Sequence, residues 1–180
     1  MASVIFLTGF MGSGKTAAGR LLASRLGYDF LDLDDWIEKK EGRTISQIFA
    51  SDGEGVFRDL EQKALHETGN RERMVISCGG GTPCHHNNME WMNQHGFTVF
   101  LNPSSQVLAQ RLLSGKAHRP LIRDLDREGL VAFIDDRLKE RMPYYTRARL
   151  QLVGIHDQET VVSAILEALK PEISFPEGKA

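Results

Sequence analysis

Residues 4–26 read VIFLTGFMGSGKTAAGRLLASRL. The first five are a short apolar run of the kind that forms a buried strand, and from Lys15 onward apolar residues return at helical spacing. Between the two, Gly9-Phe10-Met11-Gly12-Ser13-Gly14-Lys15-Thr16 fits G-x-x-x-x-G-K-[ST], in the strand-then-helix setting the pattern requires. Glycines there let successive backbone N–H groups converge on phosphate oxygens, and the helix N-terminus adds positive potential. Lys15 can reach the outer phosphates and the Thr16 hydroxyl can ligate Mg²⁺. The expected ligand is therefore a nucleoside triphosphate with its metal, carried on an α/β fold.

A dinucleotide fingerprint lies inside the same residues, since Gly12-Ser13-Gly14-Lys15-Thr16-Ala17 also fits G-x-G-x-x-A and Asp32 and Asp34 follow at a suitable distance. In that fingerprint the first glycine turns directly out of the strand. Here Gly9-Phe10-Met11 intervene and enlarge the loop to a phosphate-sized cradle, which favours the first reading.

Outward from the loop, short β-type runs alternate with helical periodicity. Strands are expected at 4–8, 30–33, 75–77, 98–101 and 151–153, and helices near 15–26, 36–41, 45–50, 55–67, 87–95, 104–113, 130–145 and 159–169. This is β/α alternation with a parallel sheet. Thr44 with Gln47 reads as a capping box, and Asn102 before Pro103 reads as an N-cap with proline at N1. Asp35 is expected to cap the helix after the second strand. Pro171 is expected to end the last helix.

The chain has 180 residues, 22 Lys+Arg and 24 Asp+Glu, so its formal charge is 22 − 24 = −2. That length suits one domain spanning 1–180, with a core large enough to fold without staples. The balanced charge argues against a nucleic-acid partner held by phosphate contacts, and no apolar run approaches a membrane span. The N-terminal run passes into the glycine loop rather than a cleavage site, so no signal peptide is expected. Two cysteines cannot form a disulfide framework, which points to the cytoplasm. A monomer acting on small molecules, with no nucleic acid and no membrane, is the expectation.

Asp29-Phe30-Leu31-Asp32-Leu33-Asp34-Asp35 reads as a strand ending in carboxylates, at the edge where open α/β sheets place ligands. Asp32 and Asp34, two apart, are expected to project together, one toward the metal's water shell and one toward a substrate hydroxyl. Ser77-Cys78-Gly79-Gly80-Gly81-Thr82 follows a further strand, and its glycines permit a backbone-lined floor for a small substrate. Cys78 with Cys84-His85-His86 lacks a recognised zinc spacing. Arg58 and Arg141 lie in helical stretches of mixed charge. Taken singly each is an ordinary surface cation, yet a phosphoryl-transfer enzyme with an anionic acceptor needs guanidinium groups that grip a carboxylate with two hydrogen bonds. The interval at about 114–127, with Gly115, Lys116, Arg119, Pro120, Arg123 and Arg127, is the candidate lid.

Together these residues resemble the shikimate kinases, small P-loop kinases of aromatic amino-acid biosynthesis. The resemblance runs through GFMGSGKT at 9–16, DLD at 32–34, D-G-E-x-x-F-R-x-x-E at 52–61, GGG at 79–81, R-P-L at 119–121 and R-x-P-x-Y at 141–145. It implies a three-layer P-loop kinase sandwich around a five-stranded parallel sheet of order 2-3-1-4-5, with substrate-binding helices at about 34–62. It implies Mg²⁺-dependent transfer of the ATP γ-phosphoryl group to the 3-hydroxyl of shikimate. On the family's pattern ATP is held by Gly9, Gly12, Ser13, Gly14, Lys15, Thr16, Ala17 and Arg119, and the metal by Thr16 and, through a water, Asp32. Asp34, Arg58, Gly79, Gly80, Gly81 and Arg141 form the substrate site. Asp34 takes the hydroxyls and accepts the proton, the two arginines take the carboxylate, and Lys15 and Arg119 steady the transferring phosphate.

Other P-loop kinases, for gluconate or nucleoside monophosphates, would share loop, fold and lid but have no use for the Arg58/Arg141 pair with Asp34. A nucleotide switch without catalysis is disfavoured because no Asn is followed by Lys, so the guanine-reading N-K-x-D is missing. Cys78 stands where the family often has a smaller or hydroxyl side chain, and Gln158 is the candidate for contacting adenine.

Overall fold

The computed structural model describes residues 4–68, 71–114, 122 and 124–171. In chain order they form β1 (Val4–Thr8), α1 (Lys15–Leu26), β2 (Asp29–Asp32), α2 (Leu33–Glu41), α3 (Ile45–Glu67), β3 (Met74–Ser77), a 3₁₀ turn (Thr82–Cys84), α4 (Asn88–His95), β4 (Phe97–Asn102), α5 (Ser105–Leu113), α6 (Arg127–Tyr145), β5 (Leu150–Val153) and α7 (Gln158–Leu169). The strands make one parallel sheet in the order β2-β3-β1-β4-β5. Its register pairs Phe6 with Ile76 and Thr98, Asp32 with Ser77, and Leu101 with Leu152.

Every residue of β1 is buried. Alternate side chains serve different layers, as the two-residue strand period dictates. Val4 and Phe6 join a core with Leu33, Ile37, Phe57 and Leu65. Ile5 and Leu7 join one with Leu22, Val162 and Ile165 on the other face. A third cluster seats Phe10 against Leu108 and Leu112 of α5 and Leu130 and Ile134 of α6. The sandwich is therefore helices, sheet, helices, with the carboxyl ends of β1, β2 and β3 opening toward the glycine loops.

Several boundaries differ from the sequence expectation, each through a side-chain cap. The second strand ends at Asp32, whose carboxylate accepts the Asp34 backbone N–H and so starts α2 at Leu33. Asp35 is exposed and is not the cap. Asn102 closes β4, and Ser104 is the cap of α5, accepting from the Val107 N–H. Asp126 caps α6 by accepting from the Gly129 N–H, which moves the start of that helix to Arg127. The two helices expected at 45–50 and 55–67 are both present and meet within α3 at a kink at Gly53, whose φ of 84° and ψ of 174° are non-helical. The capping box at Thr44 and Gln47 is present in both directions.

Candidate active site

The loop between β1 and α1 turns at glycines with positive φ, namely Gly9 (141°), Gly12 (80°) and Gly14 (97°). Gly9 also has no room for a side chain, since a Cβ would lie 2.5 Å from the Leu101 carbonyl oxygen. The Lys15 ammonium folds back under the loop and donates to the carbonyls of Gly9 (2.9 Å) and Phe10 (3.0 Å). Burial drives its pKa down to about 8, and the charge of Asp34 opposes that fall. Residues Gly12 through Ala17 line a cleft of about 380 Å³ that extends to Arg111, His156 and Gln158. Gly9 lies outside that lining, packed beneath the loop.

At the foot of the cradle Thr16 Oγ1 donates to Asp32 Oδ2 at 2.8 Å, and Ser77 Oγ lies 3.5 Å from the same hydroxyl. Hydroxyl and carboxylate oxygens are the donors a hard cation such as Mg²⁺ takes, so the residues fit the metal. Asp32 and Asp34 do not project side by side from a strand as the two-residue spacing predicts. Asp32 faces Thr16 from the end of β2, whereas Asp34 sits in the first turn of α2. Asp34 Oδ1 is wholly buried without a hydrogen-bond partner in the structure. Burial, then the charges of Glu61 and Asp32, raise the Asp34 pKa to about 7.

The three glycines after β3 are approached by different sets of polar side chains. A Cβ at Gly79 would lie 2.8 Å from Asp34 Oδ1 and from Glu61 Oε1, one at Gly80 would lie 3.1 Å from Arg141 Nη1, and one at Gly81 would lie 2.6 Å from both terminal nitrogens of Arg58. The expected acceptor residues Asp34, Arg58, Gly79, Gly80, Gly81 and Arg141 are thus brought together around one backbone loop. Arg58 donates from Nε and Nη2 to Glu54 Oε1, and from Nη1 to Glu61 Oε2 at 2.9 Å. The Arg141 guanidinium lies 5.3 Å from the Phe10 ring centre, close enough for a cation–π contact. Arg119, and with it most of the candidate lid, falls outside the described residues.

Sequence reasoning missed five residues that shape this site. Glu61 is a buried carboxylate, 1% exposed, that fixes Arg58. Thr82 donates to it. The Tyr145 hydroxyl donates to the Gly80 carbonyl, and its ring packs on Phe100 at 4.7 Å between centres. Arg111 ties the phosphate loop to the segment before α7 by donating to the carbonyls of Gly12 (3.0 Å) and His156 (2.7 Å). Ser77 stands beside Thr16. Glu61 and Tyr145 close the quoted patterns at 52–61 and 141–145, so the sequence did carry a signal for them. Near the zinc candidates, His86 is instead turned to Asp59, with Nε2 3.2 Å from Oδ1.

A parallel sheet whose central strand delivers a G-x-x-x-x-G-K-T cradle, beside a pocket holding a buried carboxylate and two arginines, defines a P-loop phosphotransferase. The family model described as shikimate kinase matches residues 11–170. A shikimate kinase of Bacteroides thetaiotaomicron is 46% identical over 145 residues, covering 81% of this chain and 83% of the relative. The crystal structure of shikimate kinase from that organism superimposes with a TM-score of 0.88 at 40% identity, covering 94% of this chain and 99% of the other. The Acinetobacter baumannii enzyme in complex with shikimate gives 0.86 at 34% identity, with coverage of 96% and 95%. The chain belongs to the shikimate kinase family. No helix among the described residues is long and apolar enough to cross a membrane.

Proposed function

We propose that the enzyme uses ATP and Mg²⁺ to phosphorylate the 3-hydroxyl of shikimate, forming shikimate 3-phosphate for aromatic amino-acid biosynthesis, and that it works in the cytoplasm. One juxtaposition carries this reading: Asp34, Arg58 and Arg141 meet on the Gly79 to Gly81 backbone, next to the cradle that holds Lys15. A small ring acid with a carboxylate at one end and hydroxyls at the other matches a pocket with arginines at one end and a buried carboxylate at the other. The free thiols Cys78 and Cys84 suit a reducing compartment.

Arg58 has five N–H groups and commits three to Glu54 and Glu61, which leaves two to grip the acceptor carboxylate. Arg141, whose Nη1 would lie 3.1 Å from a Cβ at Gly80, completes the clamp. Asp34 orients the acceptor hydroxyl and receives its proton, a task suited to a carboxylate whose proton affinity lies close to neutrality. Lys15 leaves the loop carbonyls for the transferring phosphoryl group, joined from the lid by Arg119, and the two balance its charge. Thr16, and Asp32 through a water, hold Mg²⁺, which neutralises phosphate charge when bound. The cleft beyond Ala17 takes the base, with Arg111 and Gln158 as its walls. Residues 34–62 form the acceptor side, and 114–127 cover it.

Replacing Arg58 or Arg141 by Ala is expected to raise the KM for shikimate about 10- to 150-fold, the worth of a charge-assisted hydrogen bond. The KM for ATP should stay within about twofold. Initial-rate measurements with each substrate varied test this, and equal losses for both substrates would overturn the clamp.

A further inference from the structure

Thr82 is wholly buried at the start of the 3₁₀ turn that follows the glycines. Its backbone is pinned on both sides, the N–H donating to the Gly79 carbonyl at 3.1 Å and the carbonyl accepting from Asn88 Nδ2 at 3.0 Å. With its main chain fixed, the hydroxyl donates to Glu61 Oε1 at 2.5 Å. The other oxygen of that carboxylate accepts from Arg58 Nη1 at 2.9 Å. Both oxygens of a buried glutamate are thereby held, one by a hydroxyl and one by the guanidinium.

We propose that Thr82 is a positioning residue for acceptor binding, acting on the acceptor's carboxylate through Glu61 and Arg58. This rests on the reading of Arg58 as a carboxylate-binding residue. The need for a hydroxyl follows from what surrounds Glu61. A Cβ at Gly79 would lie 2.8 Å from Asp34 Oδ1, 2.8 Å from Glu61 Oε1 and 3.1 Å from Thr82 Oγ1, so three oxygens gather around one point of the backbone. Two of the three belong to carboxylates. The Thr82 hydroxyl is the donor among them, and it turns Glu61 Oε1 to itself while Oε2 stays on Arg58. Without it Glu61 Oε1 loses its hydroxyl donor while Asp34 Oδ1 crowds the same point of the backbone, an arrangement that drives the glutamate side chain to rotate. That rotation loosens its hold on Arg58, which then leans on Glu54, an exposed side chain. The guanidinium edge left for the acceptor loses its fixed direction, although nothing in the nucleotide cradle has changed.

Thr82→Val removes the donor while keeping the side chain's shape. Shikimate binding to the nucleotide-free protein, followed by calorimetry, and the KM for shikimate are both expected to weaken about tenfold. The KM for ATP and kcat should stay within about twofold of the parent enzyme. Thr82→Ser, which restores the donor, is expected to bring shikimate affinity back to within about twofold of the parent. Thr82→Ala, which adds no second methyl group against the carboxylates, should repeat the split seen with valine. In an Arg58→Ala background Thr82→Val should cause no further loss, because the two act in series. The proposal is overturned if Arg58→Ala weakens shikimate binding while Thr82→Val leaves it unchanged, or if the KM values for both substrates rise together and serine does not rescue them. If Arg58→Ala itself leaves shikimate affinity unchanged, the carboxylate-binding reading fails, and the role of Thr82 with it.

Discussion

Asp34 and Lys15 are a buried acid and a buried base in one site, and burial is the largest influence on both. It raises Asp34 to about 7 and lowers Lys15 to about 8. Catalysis as proposed needs Asp34 ionised and Lys15 charged. The pH profile of kcat/KM should therefore fall below about pH 7 as Asp34 protonates and above about pH 8 as Lys15 loses its proton. Asp34→Asn should lower kcat about 10²- to 10⁴-fold and abolish the acid limb. The same group bears on stability. Asp34 has a folded pKa of about 7 against an ordinary 3.8, so between those values the native state binds more protons than the unfolded one, and stability falls as pH rises through that window. Asp34→Asn should thus stabilise the protein at pH 8 by up to about 4 kcal/mol, the worth of the step from 3.8 to about 7, in which the opposing charges of Lys15 and Arg58 are already included, and the gain should vanish toward pH 4. Lys15 behaves oppositely. Its folded value of about 8 lies below the ordinary 10.5, so the unfolded state binds more protons in between and stability rises with pH there. Thermal unfolding at pH 4 and pH 8 checks the asparagine variant, and a melting temperature at pH 8 no higher than the parent's would contradict this account of Asp34.

The glycine loop and the turn after it show how one element can hold several side chains at once. Gly81 has φ −91° and ψ −19°, a conformation alanine adopts without strain. The consequence of Gly81→Ala is then the contact alone, a methyl 2.6 Å from both terminal nitrogens of Arg58. That variant should unfold within about 1 kcal/mol of the parent, yet raise the KM for shikimate about tenfold or more while sparing the KM for ATP. A denaturant titration beside initial rates decides it, and a KM for shikimate equal to the parent's would show that Arg58 need not lie over the glycine. Elements of this kind were legible in the sequence to different degrees. The phosphate loop, the three glycines and the strand cores were readable because their signals are local in the chain. The starts of α2 and α6 and the cap of α5 were misplaced because Asp32, Asp126 and Ser104 are the caps, and several polar candidates compete at each boundary. Thr82 and Arg111 were invisible for another reason. Their partners lie 21 residues away at Glu61, and 99 and 45 residues away at Gly12 and His156. A residue's type does not announce a partner so distant.

At the scale of the whole molecule the arrangement follows from β1 lying at the centre of the sheet. Its alternate side chains feed the cores on both faces. Its carboxyl end leads into the phosphate loop, with β3 beside it leading into the glycine loop and β2 beyond β3 ending at Asp32. Donor and acceptor sites are therefore adjacent because their strands are neighbours, although the residues involved run from Gly9 to Arg141. This layout allows loss of the acceptor without loss of the nucleotide, which is why the alanine substitutions at Arg58, Arg141 and Gly81 and the Thr82→Val substitution separate the two KM values. It also makes the identity of the acceptor the central claim. ADP release with ATP and Mg²⁺, compared among shikimate, gluconate, nucleoside monophosphates and no acceptor, tests that claim most directly. Turnover with shikimate and only background release with the others is the predicted result. Turnover with gluconate or a nucleoside monophosphate and none with shikimate would contradict it.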